Sequence, residues 1–202
     1  MSLINIRNLN LSINNQQILK NLNFEASSGE ILGVIGESGS GKSMTANSII
    51  QLLPNGSSLS GEVIFNQKNL LGFSEYNMCK IRGKDIGFIF QEPMTALNPL
   101  KNIGNQVAEV IKIHSQISFG ESLDRAAKIL ERVGLPQSKF PLSRYPFELS
   151  GGQRQRVVIA MAIAIKPKLV IADEPSTALD VTTQSKLITL LKNLVIEDNI
   201  CL

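Results

Sequence analysis

The chain has 202 residues, 43% of them hydrophobic, and a formal net charge of +3. That composition excludes a disordered polymer and leaves room for one domain with a packed core, or one domain carrying an inserted subdomain. The modest charge, without a run of basic residues, excludes a nucleic-acid or heparin patch.

Two cysteines, Cys79 and Cys201, lie far apart. They form neither a disulfide framework nor a metal-ligand spacing, which fits a reducing cytosol. No stretch of about 18 apolar residues is present, so no segment reads as spanning a bilayer. The start, Met1-Ser-Leu-Ile-Asn-Ile-Arg7, alternates apolar and polar residues and lacks the basic opening of a signal peptide. The expectation is a protein soluble by itself, which a partner must recruit if it works at a membrane.

In chain order, residues 3–11 alternate with period two and predict an edge strand, and residues 19–26 repeat the pattern. The apolar run Glu30-Ile-Leu-Gly-Val-Ile35 predicts a short buried strand. A glycine and serine loop follows over residues 36–41, then a helix over 42–53 that stops at Pro54. Residues 61–66 and 86–90 read as strands. The texture turns helical over 102–133, where Ile103, Val107, Val110, Ile111, Leu123, Ala127 and Leu130 carry the spacing and Gly134 and Pro136 close it. Residues 152–165 read as a helix, 168–172 as a buried strand and 182–195 as an amphipathic helix. This order predicts an α/β core with a helical subdomain over residues 92–150.

Three motifs carry chemistry. Gly36-Glu37-Ser38-Gly39-Ser40-Gly41-Lys42-Ser43 fits the phosphate-binding loop G-x-x-x-x-G-K-[ST]. Its glycines let successive N–H groups face one anion, and the helix behind adds its positive end. Lys42 would reach the β- and γ-phosphates of a nucleotide, and the Ser43 hydroxyl would ligate Mg²⁺. The apolar run Leu169-Val-Ile-Ala-Asp173-Glu174 ends in two carboxylates. Asp173 would hold the metal's water shell, and Glu174, one residue on, would orient or deprotonate an attacking water. The third motif, Leu149-Ser150-Gly151-Gly152-Gln153, opens a helix and exposes N–H groups as a second anion site. An ordinary serine N-cap with a glycine turn is the alternative at that point. One nucleotide does not need two such ends from one chain, so the economical reading is a dimer in which this segment caps the nucleotide held by the other subunit.

Together with Gln91 and Ser176-Thr-Ala-Leu-Asp180, these motifs stand in the order of an ABC ATPase, and the chain resembles that family over nearly its whole length. The resemblance implies a P-loop NTPase core with an N-terminal antiparallel β subdomain and an inserted helical subdomain. The expected division is a first core part over 1–91, the helical subdomain over 92–150 and a second core part over 151–202. It further implies that Gln91 touches Mg²⁺ and links the core to the helical subdomain, that Asp180 lies at the dimer seam, and that Glu174 is the catalytic glutamate, with ATP as the nucleotide. A narrower likeness rests on Phe90-Gln-Glu-Pro-Met-Thr-Ala-Leu-Asn-Pro99, Arg144-Tyr-Pro-Phe-Glu-Leu-Ser150 and Ile171-Ala-Asp-Glu-Pro-Ser-Thr-Ala-Leu-Asp-Val181. These stretches resemble the bacterial oligopeptide, dipeptide and nickel importer branch. That branch implies permease subunits, a second ATP-binding subunit, indirect dependence on an extracytoplasmic binding protein, no nucleic acid, and a place on the cytoplasmic face of the cell membrane. A soluble ABC ATPase acting on nucleic acid or the ribosome is the alternative.

The sequence departs from the family pattern twice. Where many members carry an aromatic residue to stack on adenine, this chain reads Leu11-Ser-Ile-Asn-Asn15-Gln-Gln17, so loose base selectivity is expected. The family's switch histidine is absent before Leu202, and the one histidine, His114, falls in the helical insert as a surface or half-buried residue without chemistry. The expectation is a C-terminally truncated chain in which ATP binding survives better than hydrolysis.

Overall fold

A computed structural model describes residues 2–175 and 180–202. Strands β1 (Ile4–Ile13) and β2 (Gln16–Ala26) pair antiparallel. The two-residue turn between them puts Asn14 and Asn15 at φ 50 and 66, the left-handed pair that matches strand twist in a tight hairpin. Strand β3 (Ser57–Phe65) pairs with the other edge of β1 and hairpins to β4 (Lys68–Asn69), giving the order β2-β1-β3-β4.

The alternation along β1 is broken in the middle. Ile4 and Ile6 are buried, then Leu9 and Leu11, so the inward parity changes. A bulge at Arg7–Asn8, with Asn8 at φ 47, absorbs the extra residue and returns the leucines to the core. Asparagines hold it: the Asn8 N–H donates to Asn23 Oδ1 at 2.9 Å, and the Asn21 N–H to Asn10 Oδ1 at 2.9 Å.

Helix α1 (Lys42–Ile49) ends earlier than the sequence spacing suggested. The Arg82 guanidinium takes the carbonyls just beyond it, Ile50 at 2.8 Å and Gln51 at 3.2 Å. Arg82 follows α2 (Glu75–Ile81), a helix that carries no strong periodicity in the sequence. Strand β5 (Ile86–Ile89) pairs parallel with β6 (Leu169–Ala172) in the register Ile86 to Leu169.

The expected buried strand over residues 30–35 is a correction. The segment is extended but belongs to no sheet, and Val34 and Ile35 are 55% and 97% exposed. Its inner partner is Leu202: the Leu202 N–H donates to the Glu30 carbonyl and the Leu32 N–H to the Leu202 carbonyl, both at 2.8 Å. On its other side Cys201 bonds Lys168 and Val170. Gly33 and Val34 therefore face a cavity of about 420 Å³ rather than a strand, lined among others by Ile31, Ala46, Ile171 and Leu191.

The helical region holds α3 (Pro93–Ala96), α4 (Ile103–His114) and α5 (Phe119–Arg132). The continuous texture over 102–133 is two helices, because Ser118 and Glu121 form a reciprocal capping box that starts a new one. Helix α6 (Gly151–Ile163) and helix α7 (Val181–Asp198) follow. One apolar cluster joins β1, β2 and β3 to α1. The other runs from Val107, Ile111 and Leu130 through Val157 and Ile159 to Leu187 and Leu194, so α6 packs against both the insert and the core.

Candidate functional site

The loop at residues 36–43 leaves the extended segment 30–35 and enters α1. Gly41 caps that helix at φ 95, a conformation costly for other residues, and Leu19 of β2 fills the space where a side chain would stand. At Gly36 a Cβ would meet Ser40 Oγ at 2.5 Å. Over Gly39, by contrast, the space is open. Among the described residues the amides of Gly39, Gly41, Lys42 and Ser43 have no intrachain acceptor, so they are the loop's donors toward an anion. Glu37, Ser38 and Ser40 complete the loop, and Ser40 N–H donates to the Glu37 carbonyl at 3.2 Å.

Lys42 folds back over the loop. Its ammonium donates to the carbonyls of Gly36 and Glu37, each at 2.9 Å, and lies 3.6 Å from Glu174 Oε1. Ser43 Oγ donates to Asp173 Oδ1 at 3.0 Å, across 130 residues of chain. Strand β6 delivers both acids, and Asp173 N–H donates to the Ile89 carbonyl of β5, which fixes its height. Glu174 is held at φ 44, a strained position for a residue with a side chain. Gln91, just beyond β5, donates its amide to Glu174 Oε2 at 3.0 Å. The structure thus brings Lys42, Ser43, Gln91, Asp173 and Glu174 into one cluster.

These groups suit Mg²⁺. The hydroxyl of Ser43 and the carboxylate of Asp173 are adjacent hard oxygen donors, and Mg²⁺ uses one or two carboxylates while keeping waters and substrate phosphates as its other ligands. Among the described residues no group of three or more His, Cys, Asp and Glu side chains is placed to cage a metal by itself.

The segment 149–153 stands apart. Leu149 is buried and Ser150 is exposed. Ser150 and Gln153 form a capping box at the start of α6: Gln153 N–H donates to Ser150 Oγ at 3.3 Å, and Ser150 N–H to Gln153 Oε1 at 2.9 Å. A Cβ on Gly151 would meet nothing within 4 Å, so the helix entrance is open there. No hydrogen bond or ion pair among the described residues joins 149–153, Gly152 included, to the loop at 36–43. Asp180 caps α7, accepting from the Thr183 N–H at 3.0 Å and the Thr183 hydroxyl at 2.6 Å. The Thr183 bonds hold its carboxyl below the usual range. Residues 176–179 of the expected stretch Ser176-Thr-Ala-Leu-Asp180 lie outside the described residues. His114 is half-buried at the end of α4 against Gly83, remote in sequence and structure from the cluster.

Two supports escaped the sequence reading. Leu19 backs Gly41, and Arg82 holds the chain leaving α1. Neither carries a local signal, because each partner lies more than 20 residues away.

Residues 19–177 match the family described as ABC transporter. The oligopeptide transport ATP-binding protein OppD of Bacillus subtilis (strain 168) is 49% identical over 180 residues, 88% of this chain and 50% of that protein. OppD of Escherichia coli (strain K12) is 42% identical over 202 residues, 98% of this chain and 60% of that protein. Among solved structures, the dimeric post-hydrolysis state of the ATP-binding cassette MJ0796 bound to ADP and Pi aligns with a TM-score of 0.83 at 32% identity, covering 98% of this chain and 85% of that one. The structure of cbiO1 from Clostridium perfringens, described as part of the transporter complex cbiONQ, aligns at 0.84 with 27% identity, covering 99% and 76%. The chain spans about half the length of the curated relatives it matches.

Proposed function

The chain belongs to the ABC transporter family, and on that premise we propose that it is the ATP-binding and hydrolysing part of an importer subunit for peptides. The observation that carries this reading is the convergence of Lys42, Ser43, Gln91, Asp173 and Glu174 beside the amide-lined loop at 36–43. The relatives named as oligopeptide transport proteins support the peptide class.

The chain's residues divide the work. The loop amides and Lys42 bind the β- and γ-phosphates. Lys42 leaves the carbonyls of Gly36 and Glu37 to do so, exchanging neutral acceptors for charged ones. Ser43, Asp173 and Gln91 would hold Mg²⁺, which would supply positive charge to offset that of the phosphates. Glu174 orients the attacking water and takes its proton, with Gln91 fixing the carboxylate from the opposite side. Leu149, Ser150, Gly151, Gly152 and Gln153 of one subunit close over the nucleotide of another, with Asp180 at the seam. The open helix entrance at Gly151 and its separation from the chain's own loop support that sharing. Residues 1–91 and 151–202 serve as the ATP-binding core and 92–150 as the helical subdomain.

In this reading the protein works peripherally at the cytoplasmic face of the membrane, on permease subunits fed by a binding protein. No helix among the described residues is long and apolar enough to cross a membrane. The test is affinity purification of the full-length protein from detergent-solubilised cells, followed by an ATPase assay of the captured complex. Membrane-spanning subunits that raise ATP turnover are the expected result. Capture of ribosomes or nucleic acid, without any membrane-spanning subunit, would overturn the transport assignment.

A further inference from the structure

The ends of α5 and α7 meet at one polar junction outside the nucleotide cluster, close to Arg156 within α6 and Lys166 just beyond it. Arg132, the last residue of α5, grips the end of α7: its Nε and Nη2 donate to Glu197 Oε2 at 3.3 and 2.7 Å, and its Nη1 donates to Asp198 Oδ2. Asp198 is only 8% exposed, and its other oxygen lies 3.7 Å from Lys166 Nζ. One residue on, the Val133 carbonyl accepts from Arg156 of α6. Gly134 lets the guanidinium lie against the backbone, where a Cβ would come within 2.8 Å of it.

These are long-range ties, 65 and 66 residues apart for Arg132 and 23 for Arg156. A planar guanidinium spread across two consecutive carboxylates fixes direction as well as distance, unlike a mobile surface pair. Arg132 joins α5 to α7, and Arg156 ties the end of α5 to α6 through the Val133 carbonyl. Helices α6 and α7 begin at Ser150 and Asp180, the two N-caps placed at the subunit seam under the proposed function. Helix α7 has 18 residues, so it is about 27 Å long, and a tilt of about 4° at its gripped end moves the Asp180 end by about 2 Å.

We propose that Arg132 is a positioning residue, which locks the helical insert to the far end of α7 and so holds Ser150 and Asp180 in the register that a second copy of the chain must meet. This rests on the shared-site reading of residues 149–153. Arg132 touches no nucleotide-binding group, so its loss changes assembly rather than the loop at 36–43.

The experiment measures Mg²⁺-ATP-driven self-association of the full-length protein by sedimentation, in a Glu174→Gln background that slows hydrolysis. Arg132→Gln should weaken association about tenfold while leaving the affinity of the unassociated chain for a fluorescent ATP analogue unchanged. The double variant Arg132→Gln with Asp198→Asn removes the buried carboxylate that has lost its guanidinium partner, so thermal stability should recover while association stays weak. Parental association in Arg132→Gln, or association that returns together with stability in the double variant, would overturn the proposal. Ser150→Arg separates the two claims. If it associates like the parent, the shared site fails. Arg132 is then judged by the spin-label distance between Gln116 and Asn193, with Cys79 replaced by Ser. A distribution broadened by Arg132→Gln supports the lock, and an unchanged one refutes it.

Discussion

Glu174 is held from both sides, with Lys42 Nζ 3.6 Å from Oε1 and Gln91 Nε2 donating to Oε2 at 3.0 Å. The contact joins three parts of the chain: the start of α1, the end of β5 and the end of β6.

Replacing Glu174 by Gln keeps shape and removes the proposed base. ATP turnover of the full-length protein should fall by about 10²–10⁴, with Mg²⁺-ATP affinity kept or raised. Single-turnover hydrolysis and equilibrium binding measure the two separately. Turnover at the parental rate would remove Glu174 from the chemistry.

Base recognition should be loose. The hairpin tip that stands where many family members carry a stacking aromatic is Asn14–Asn15, both in left-handed turn positions, with no aromatic ring. ATP and GTP should compete within about tenfold of each other, roughly 1.4 kcal/mol. A much larger preference for ATP means that another side chain reads the base.

Arg82→Ala should cost about 1–3 kcal/mol, because the part-buried Ile50 and Gln51 carbonyls lose a charged donor; the guanidinium also binds the exposed Glu75 carboxylate. Urea unfolding measures this. The same contact predicts a pH dependence. Hydrogen bonding to Arg82 holds the Glu75 pKa below its usual 4.5. The stabilisation is present above that value and fades as pH falls through the lowered one. The stability gap between the parent and Glu75→Gln should therefore be present at pH 7 and close in acid. A gap that widens in acid contradicts the pairing.

The thiols should separate in reactivity. Burial pushes Cys201 up to about 11, whereas Cys79 is exposed. With the folded pKa raised, Cys201 stays a thiol at pH 8–9, and ionisation begins to favour unfolding only as pH rises from about 9 toward 11. Iodoacetamide at pH 8 should modify Cys79 and spare Cys201 until urea unfolds the chain. Equal labelling rates in the native protein would contradict the packing around Cys201.

What the sequence made legible was local. The loop at 36–43 carries its glycines, lysine and serine within one turn of chain, and the acids follow their strand directly, so spacing alone placed both. Residues 30–35 misled because an apolar run reports hydrophobicity and not the presence of a neighbour. The pairing stops at Leu32, Val34 lines a cavity instead, and Ile35 is exposed. Period-two counting also missed the bulge at Asn8, where one inserted residue resets the parity that the count assumes constant. The break before α5 was readable after all: Ser118 and Glu121 stand at capping-box spacing. Arg82 and Arg132 could not be found this way, since their partners are fixed only by the fold.

The most direct test of the account is calorimetric titration of Mg²⁺-ATP into the chain and into Lys42→Ala. Lys42 supplies a side-chain cation beside amides that are neutral donors. The account predicts one site per chain in the parent, with affinity reduced about a hundredfold or more in the variant, as expected for losing a charge-assisted contact of about 3 kcal/mol. Equal affinities in the two proteins, or no binding by the parent, would contradict it.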